Sequence, residues 1–107
     1  MRKKIYIAGK VSGEDQLECA MKFETMQKQI EALGFEAVNP LKVVGTWDIT
    51  WNEAMIKCLK ALLDCQAMVL LEDWQESKGA KIEVKLARYL EKPICVYTPD
   101  GLQIKFM

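Results

Sequence analysis

Apolar residues in this chain fall into short unbroken runs that alternate with stretches of three- to four-residue period. Ile5 to Ala8 is such a run, closed by Gly9, and predicts a buried first strand. Polar capping candidates follow at Ser12-Gly13-Glu14-Asp15. Cys19, Phe23, Met26, Ile30 and Leu33 then mark one face of a long helix that Gly34 stops. Phe35 to Val38 predicts a second strand, ended by Asn39-Pro40. Leu41 to Ile49 shows no period and reads as a loop. Thr50-Trp51-Asn52-Glu53 has the form of a capping box, and Trp51, Met55, Leu59 and Leu62 form the stripe of a second long helix. Ala67 to Leu71 predicts a strand covered on both faces. A third helix is expected from about Ser77 to Leu90, limited by Pro93, before a fourth strand at Ile94 to Tyr97. Thr98-Pro99-Asp100-Gly101 reads as a turn. Beyond it Leu102, Ile104 and Phe106 alternate with polar residues, as an edge strand would.

Strand and helix alternate throughout, which predicts right-handed crossovers and a parallel sheet. The expectation is one α/β domain over residues 1–107, strand order 2-1-3-4, with helices on both faces and the tail as a possible edge strand. In such sheets ligands bind beyond the carboxyl ends of the strands. That rule selects Gly9 to Gly13, Asn39 to Asp48, Glu72 to Gly79 and the turn after Tyr97.

Composition narrows the classes of function. Fifteen basic and fifteen acidic residues cancel, so nothing points to a nucleic acid duplex. With no histidine and no C-x-x-C pair among Cys19, Cys58, Cys65 and Cys95, neither a zinc site nor any other cofactor is implied. The cysteines lie in apolar stretches and read as buried free thiols of a reducing cytosol. Met1-Arg2-Lys3-Lys4 is followed by too short an apolar run for a signal peptide or membrane span, so a cytoplasmic location is expected.

The most informative residue is Glu83. On a helical projection it falls in the apolar arc formed by Ile82, Leu86, Gly79, Leu90, Ala87 and Ala80, opposite Lys81, Lys85, Arg88 and Lys92. A carboxylate aimed at a sheet needs a partner or a task. Gly79, one turn earlier, leaves space for a ligand; the alternative is a purely structural carboxylate. Gly9-Lys10-Val11-Ser12-Gly13 can offer amides to a phosphate, or form an ordinary strand-to-helix turn. Tyr6, Trp47, Trp51 and Trp74 form an aromatic set, with Trp47 and Trp74 in loops at the ligand end, where a flat base or plain packing would account for them.

Ile5-Tyr6-Ile7-Ala8-Gly9, Phe23, Gly34 to Asn39-Pro40, Trp51 to Met55, and above all Trp74-x-x-Ser77-x-Gly79-Ala80-x-x-Glu83 resemble a small family (DUF4406-like). That family lies in the nucleoside 2-deoxyribosyltransferase-like superfamily, and the resemblance runs roughly to Tyr97. It implies a flavodoxin-like fold and cleavage of an N-glycosidic bond. Glu83 would then be the nucleophile at the anomeric carbon, and Tyr6 would position it. Ser77 would contact a 5′-phosphate, which favours a nucleoside monophosphate as substrate. Asn39, Trp47, Trp74, Gly79 and the Gly9–Gly13 loop would complete the substrate site. Two departures stand out. Gln66 replaces the aspartate expected to help protonate the leaving base, with Glu72 or Asp73 as conceivable substitutes, and Lys10 replaces a proline. An amide cannot supply a proton, so Gln66 keeps open a non-catalytic nucleotide-binding or sensing module. The expected partners are a small nucleoside or nucleotide and other copies of the chain. A homo-oligomer would close each pocket, through the Trp47 loop and the Leu102–Met107 tail.

Overall fold

A computed structural model describes residues 2–98 and 101–105. The first apolar run forms β1 (Lys4–Ala8), and its alternating side chains feed two separate cores. α1 (Gln16–Ala32) follows, capped by Asp15, whose carboxylate accepts the Glu18 amide at 3.0 Å. Its buried stripe is Cys19, Phe23, Met26 and Ile30, whereas Leu33 caps the helix and stays exposed. β2 (Glu36–Val38) returns beside β1.

The stretch read as a loop contains a short helix, α2 (Pro40–Val44). Five residues are too few to show a period, but the punctuation is there. Asn39 caps, Pro40 opens with its fixed φ and missing donor, and Gly45 closes in the left-handed region. α3 (Trp51–Leu63) starts at Thr50, whose hydroxyl accepts the Glu53 amide at 3.2 Å. The Glu53 carboxylate takes the Thr50 hydroxyl proton at 2.7 Å, so the box closes through side chains. β3 (Ala67–Leu70), a 3₁₀ turn (Trp74–Glu76), α4 (Lys78–Tyr89) and β4 (Ile94–Thr98) complete the parallel unit.

The order is β2-β1-β3-β4, all parallel, with β5 (Gly101–Lys105) added antiparallel at the β4 edge. This is the expected flavodoxin-like arrangement, with the tail as edge strand; Pro99, Asp100, Phe106 and Met107 of the predicted turn and tail lie outside the described residues. α1 covers one face over Ile5, Ile7, Val69 and Leu71. α3 and α4 cover the other over Tyr6, Ala8, Met68 and Leu70. All four cysteines are buried and free. No helix among the described residues is long and apolar enough to cross a membrane.

The buried face of α4 is Gly79, Ala80, Glu83, Val84 and Ala87, which rotates the expected arc so that Ile82 and Leu90 are exposed. Small residues let the helix sit close to the sheet, and the close approach turns the larger ones outward.

Gly9, at the end of β1, touches Leu71. A Cβ built there would stand 2.5 Å from Leu71 Cδ1 and 2.9 Å from its Cβ. Gly9→Ala is expected to destabilise the domain by about 1–3 kcal/mol, read as a lower urea midpoint with an unchanged slope.

Candidate active site at the strand carboxyl ends

The β1–β2 crossover through α1 and the β2–β3 crossover through α3 pass over opposite faces of the sheet, and a cavity of about 720 Å³ opens at the resulting switch point. Its walls come from the Gly9–Glu14 turn, the start of α1, α2 with the following loop, α3, and the start of α4.

Glu83 lies on this cavity with only 6 % of its surface exposed. Tyr6 points from mid-β1 into the same layer, fully buried behind the cavity, and its hydroxyl donates to Glu83 Oε2 at 2.5 Å. Burial pushes the Glu83 carboxyl up, the Tyr6 hydroxyl pulls it partly back, and the balance is about 7. Burial and then the Glu83 charge push the Tyr6 phenol well above its ordinary value, so it stays a donor. Cys58, on the facing side of α3, lines the cavity as a thiol pushed up to about 11 by burial. The pair is a carboxylate half ionised near neutrality, oriented through one oxygen and free at the other.

Around it, Gly9, Ser12, Gly13, Asn39, Trp47, Ser77 and Gly79 all line the cavity, as the sequence suggested. Their surroundings qualify some of the roles. Asn39 caps α2 through the Leu41 amide at 3.0 Å and donates to Gln27 Oε1 at 3.2 Å. Ser77 caps α4 by accepting the Ala80 amide at 3.1 Å. The space above Gly79 is not free for a ligand: a Cβ there would meet Met55 Sδ at 2.9 Å. Met55, Ala54 and Trp51 on α3 line the cavity too, and the Lys78 ammonium sits 4.9 Å from the Trp51 ring. The sequence places Trp51 in a capping box, an apolar stripe and the aromatic set, without assigning it to the site. Met55 had been assigned to the core, where a thioether spaced one turn from Cys58 carries no sign of a cavity.

Four expected residues stand elsewhere. Lys10 lines an adjoining cleft of about 510 Å³ that shares Ser12, Trp51, Ser77 and Gly79 with the main cavity. Trp74 is half-buried in the 3₁₀ turn and packs against the core beneath α3 and α4. Asp73 is a structural ion. Its carboxylate accepts the Lys10 amide at 3.0 Å and the Lys22 ammonium at 2.5 Å. Burial opposes its ionisation, yet Lys22 and the Lys10 amide outweigh it and hold the carboxyl below its ordinary value. An acid kept ionised in this way has no proton to give to a leaving base.

Gln66 is at the wrong end of the sheet for catalysis. It precedes β3, and its amide oxygen accepts the backbone N–H of Lys4, the first residue of β1, at 2.7 Å. Lys4 and Asp64 form an ion pair beside it at 2.8 Å. The four-residue strand therefore separates Gln66 from the carboxyl edge. Gln66→Asp is expected to change turnover less than about twofold, and a large gain in a rate assay would show this placement to be irrelevant.

The proton question thus remains with the cavity itself. Among the described residues no other carboxylate shares the depth of Glu83. Glu14 and Glu24 line the α1 wall, tied to Lys22 at 3.0 Å and Lys42 at 3.2 Å. No curated protein matches this chain. A family model described as "Domain of unknown function (DUF4406)" matches residues 3–96.

Proposed function

The chain belongs to the DUF4406 family, and on that premise we propose that it is a nucleoside-monophosphate N-glycosidase, or a base-exchanging deoxyribosyltransferase, with Glu83 as nucleophile. The observation that carries this reading is the Tyr6–Glu83 hydrogen bond of 2.5 Å beside an otherwise open cavity. The sequence likeness to the nucleoside 2-deoxyribosyltransferase-like superfamily supplies the reaction class. Glu83 Oε1, left free by Tyr6, attacks the anomeric carbon; the C1′–O bond forms as the C1′–N bond breaks. The base leaves with the bonding pair and takes a proton from solvent. Water then hydrolyses the glycosyl ester, or a second base displaces it.

The rest of the site suits a nucleotide. Trp47, 45 % exposed on the cavity, offers a face for a base. Ser77 and the Lys10 and Lys78 ammoniums of the adjoining cleft would receive a 5′-phosphate.

A second reading, a module that binds a nucleotide without cleaving it, draws on the absence, among the described residues, of a second buried carboxylate at the cavity. One experiment separates the two. The protein is incubated with the common ribo- and deoxyribonucleoside monophosphates between pH 5 and 9, and free base is followed by chromatography. Base release rising with pH through about 7 is expected, as the Glu83 carboxyl ionises. Binding without release from any monophosphate would select the second reading.

A further inference from the structure

α4 leaves the cavity mouth bearing Lys78, Lys81, Lys85 and Arg88, all exposed. Intervals of three, four and three residues place them in one stripe about 15 Å long. The one acidic residue of the helix, Glu83, is buried. Among the described residues, none of the four cations lies within ion-pair distance of a carboxylate. Ile82 and Tyr89 border the stripe, Tyr89 at 80 % exposure. On the other side of the sheet α1 and its cap are mixed in sign, exposing Asp15, Glu18 and Glu31 together with Lys28. The net charge of zero therefore conceals a local concentration of positive charge along α4. Packing α4 against a second α4 would set like charges together, which argues for an anionic partner.

The stripe begins at the cleft that adjoins the cavity, which Lys10, Ser77 and Lys78 line, with Glu76 as its one carboxylate. We propose that the stripe is a track for single-stranded nucleic acid whose 3′-terminal nucleotide enters the cavity. This rests on the reading of the cavity as a nucleotide site. A phosphate in the Lys10–Lys78 cleft is the 5′-phosphate of the nucleotide inside. If it is a diester, the preceding nucleotides continue outward along Lys81, Lys85 and Arg88, with Tyr89 as a surface for stacking. The chemistry is that of the monophosphate. Glu83 takes C1′, the base departs with its electron pair and a solvent proton, and water frees an abasic 3′ end.

The test compares binding of the four deoxynucleoside monophosphates with that of single strands of two to six nucleotides. The native protein is set beside the variant Lys81→Glu, Lys85→Glu, Arg88→Glu, whose changes lie outside the cavity. A four-nucleotide strand is expected to bind native protein about tenfold or more tighter than the monophosphate at its 3′ end. With a 5′-phosphate on that strand, its three phosphates beyond the cleft make its log K fall more steeply with log salt, by about 2. The triple variant should lose both effects while binding monophosphates as before. Strands that bind no tighter than monophosphates, or a gain that survives in the variant, would overturn the track and leave the cavity reading intact. Failure of native protein to bind any monophosphate would overturn the cavity reading and this proposal together.

Discussion

Glu83→Gln is expected to lower base release by about 10³-fold or more and to leave a protein more stable than native above pH 7. The amide keeps an acceptor for the Tyr6 hydroxyl but cannot form a glycosyl ester. The stability effect follows from the raised pKa. An acid that ionises at about 4.5 when unfolded and about 7 when folded binds more protons in the folded state between those values. The Glu83 contribution to native stability therefore falls as pH rises from about 4.5 to about 7, by about 3 kcal/mol, and is flat on either side. Glutamine has no such slope. The variant and native protein should unfold alike in urea near pH 4 and diverge by pH 8, with the variant ahead. Turnover within tenfold of native would remove Glu83 from the mechanism. Equal stability at pH 8 would show that the carboxylate is better solvated than its 6 % exposure implies.

Tyr6→Phe is the second large effect, and its signature is a displaced pH profile. The phenol is the group that opposes burial at Glu83. Its loss removes a hydrogen bond to a charged acceptor, worth about 1.5–3 kcal/mol. The midpoint of the rate profile should move upward by about one to two pH units. Turnover at pH 7 should drop about 10- to 100-fold and recover in part at pH 9. A merely structural tyrosine would lower the rate equally at every pH, so an unmoved midpoint refutes the positioning role. Stability should fall at pH 8, where the buried carboxylate is left without its donor, and much less at pH 4.

Why Glu83 was visible in the sequence and Gln66 was misjudged is instructive. Glu83 violates a helical period, and a period is a local property that maps directly onto a face. The resemblance assigns Gln66 the place of an aspartate that helps protonate the leaving base, against its own position before β3. A residue just before a parallel strand stands at the amino edge, and the functional edge is the other one. Asp73 and Lys22 are 51 residues apart, and no pattern along the chain signals that they meet. α2 was hidden by brevity although its cap, proline and closing glycine were all in view. The sheet order and the edge strand could be read because strand runs, helix stripes and turn residues agreed at every level.

The Lys22 ammonium bonds at once to the Lys10 carbonyl at 2.8 Å, to Glu14 and to Asp73, while Asp73 holds the Lys10 amide. The turn after β1 and the turn after β3 are thereby bolted to α1 and to each other, and behave as one stiff jaw. The opposite jaw, Gly45 to Thr50, carries Trp47, and the side-chain tie it shows before the α3 cap is local, from the Asp48 amide to Thr46. A cavity with one unyielding side and one compliant side does not discriminate evenly. On the proposed reading the sugar and phosphate would meet the stiff jaw, where a misplaced hydroxyl would find no accommodation. The base would meet the compliant jaw, which would re-fit around purine or pyrimidine alike. Selectivity should therefore be narrow for the sugar and broad for the base.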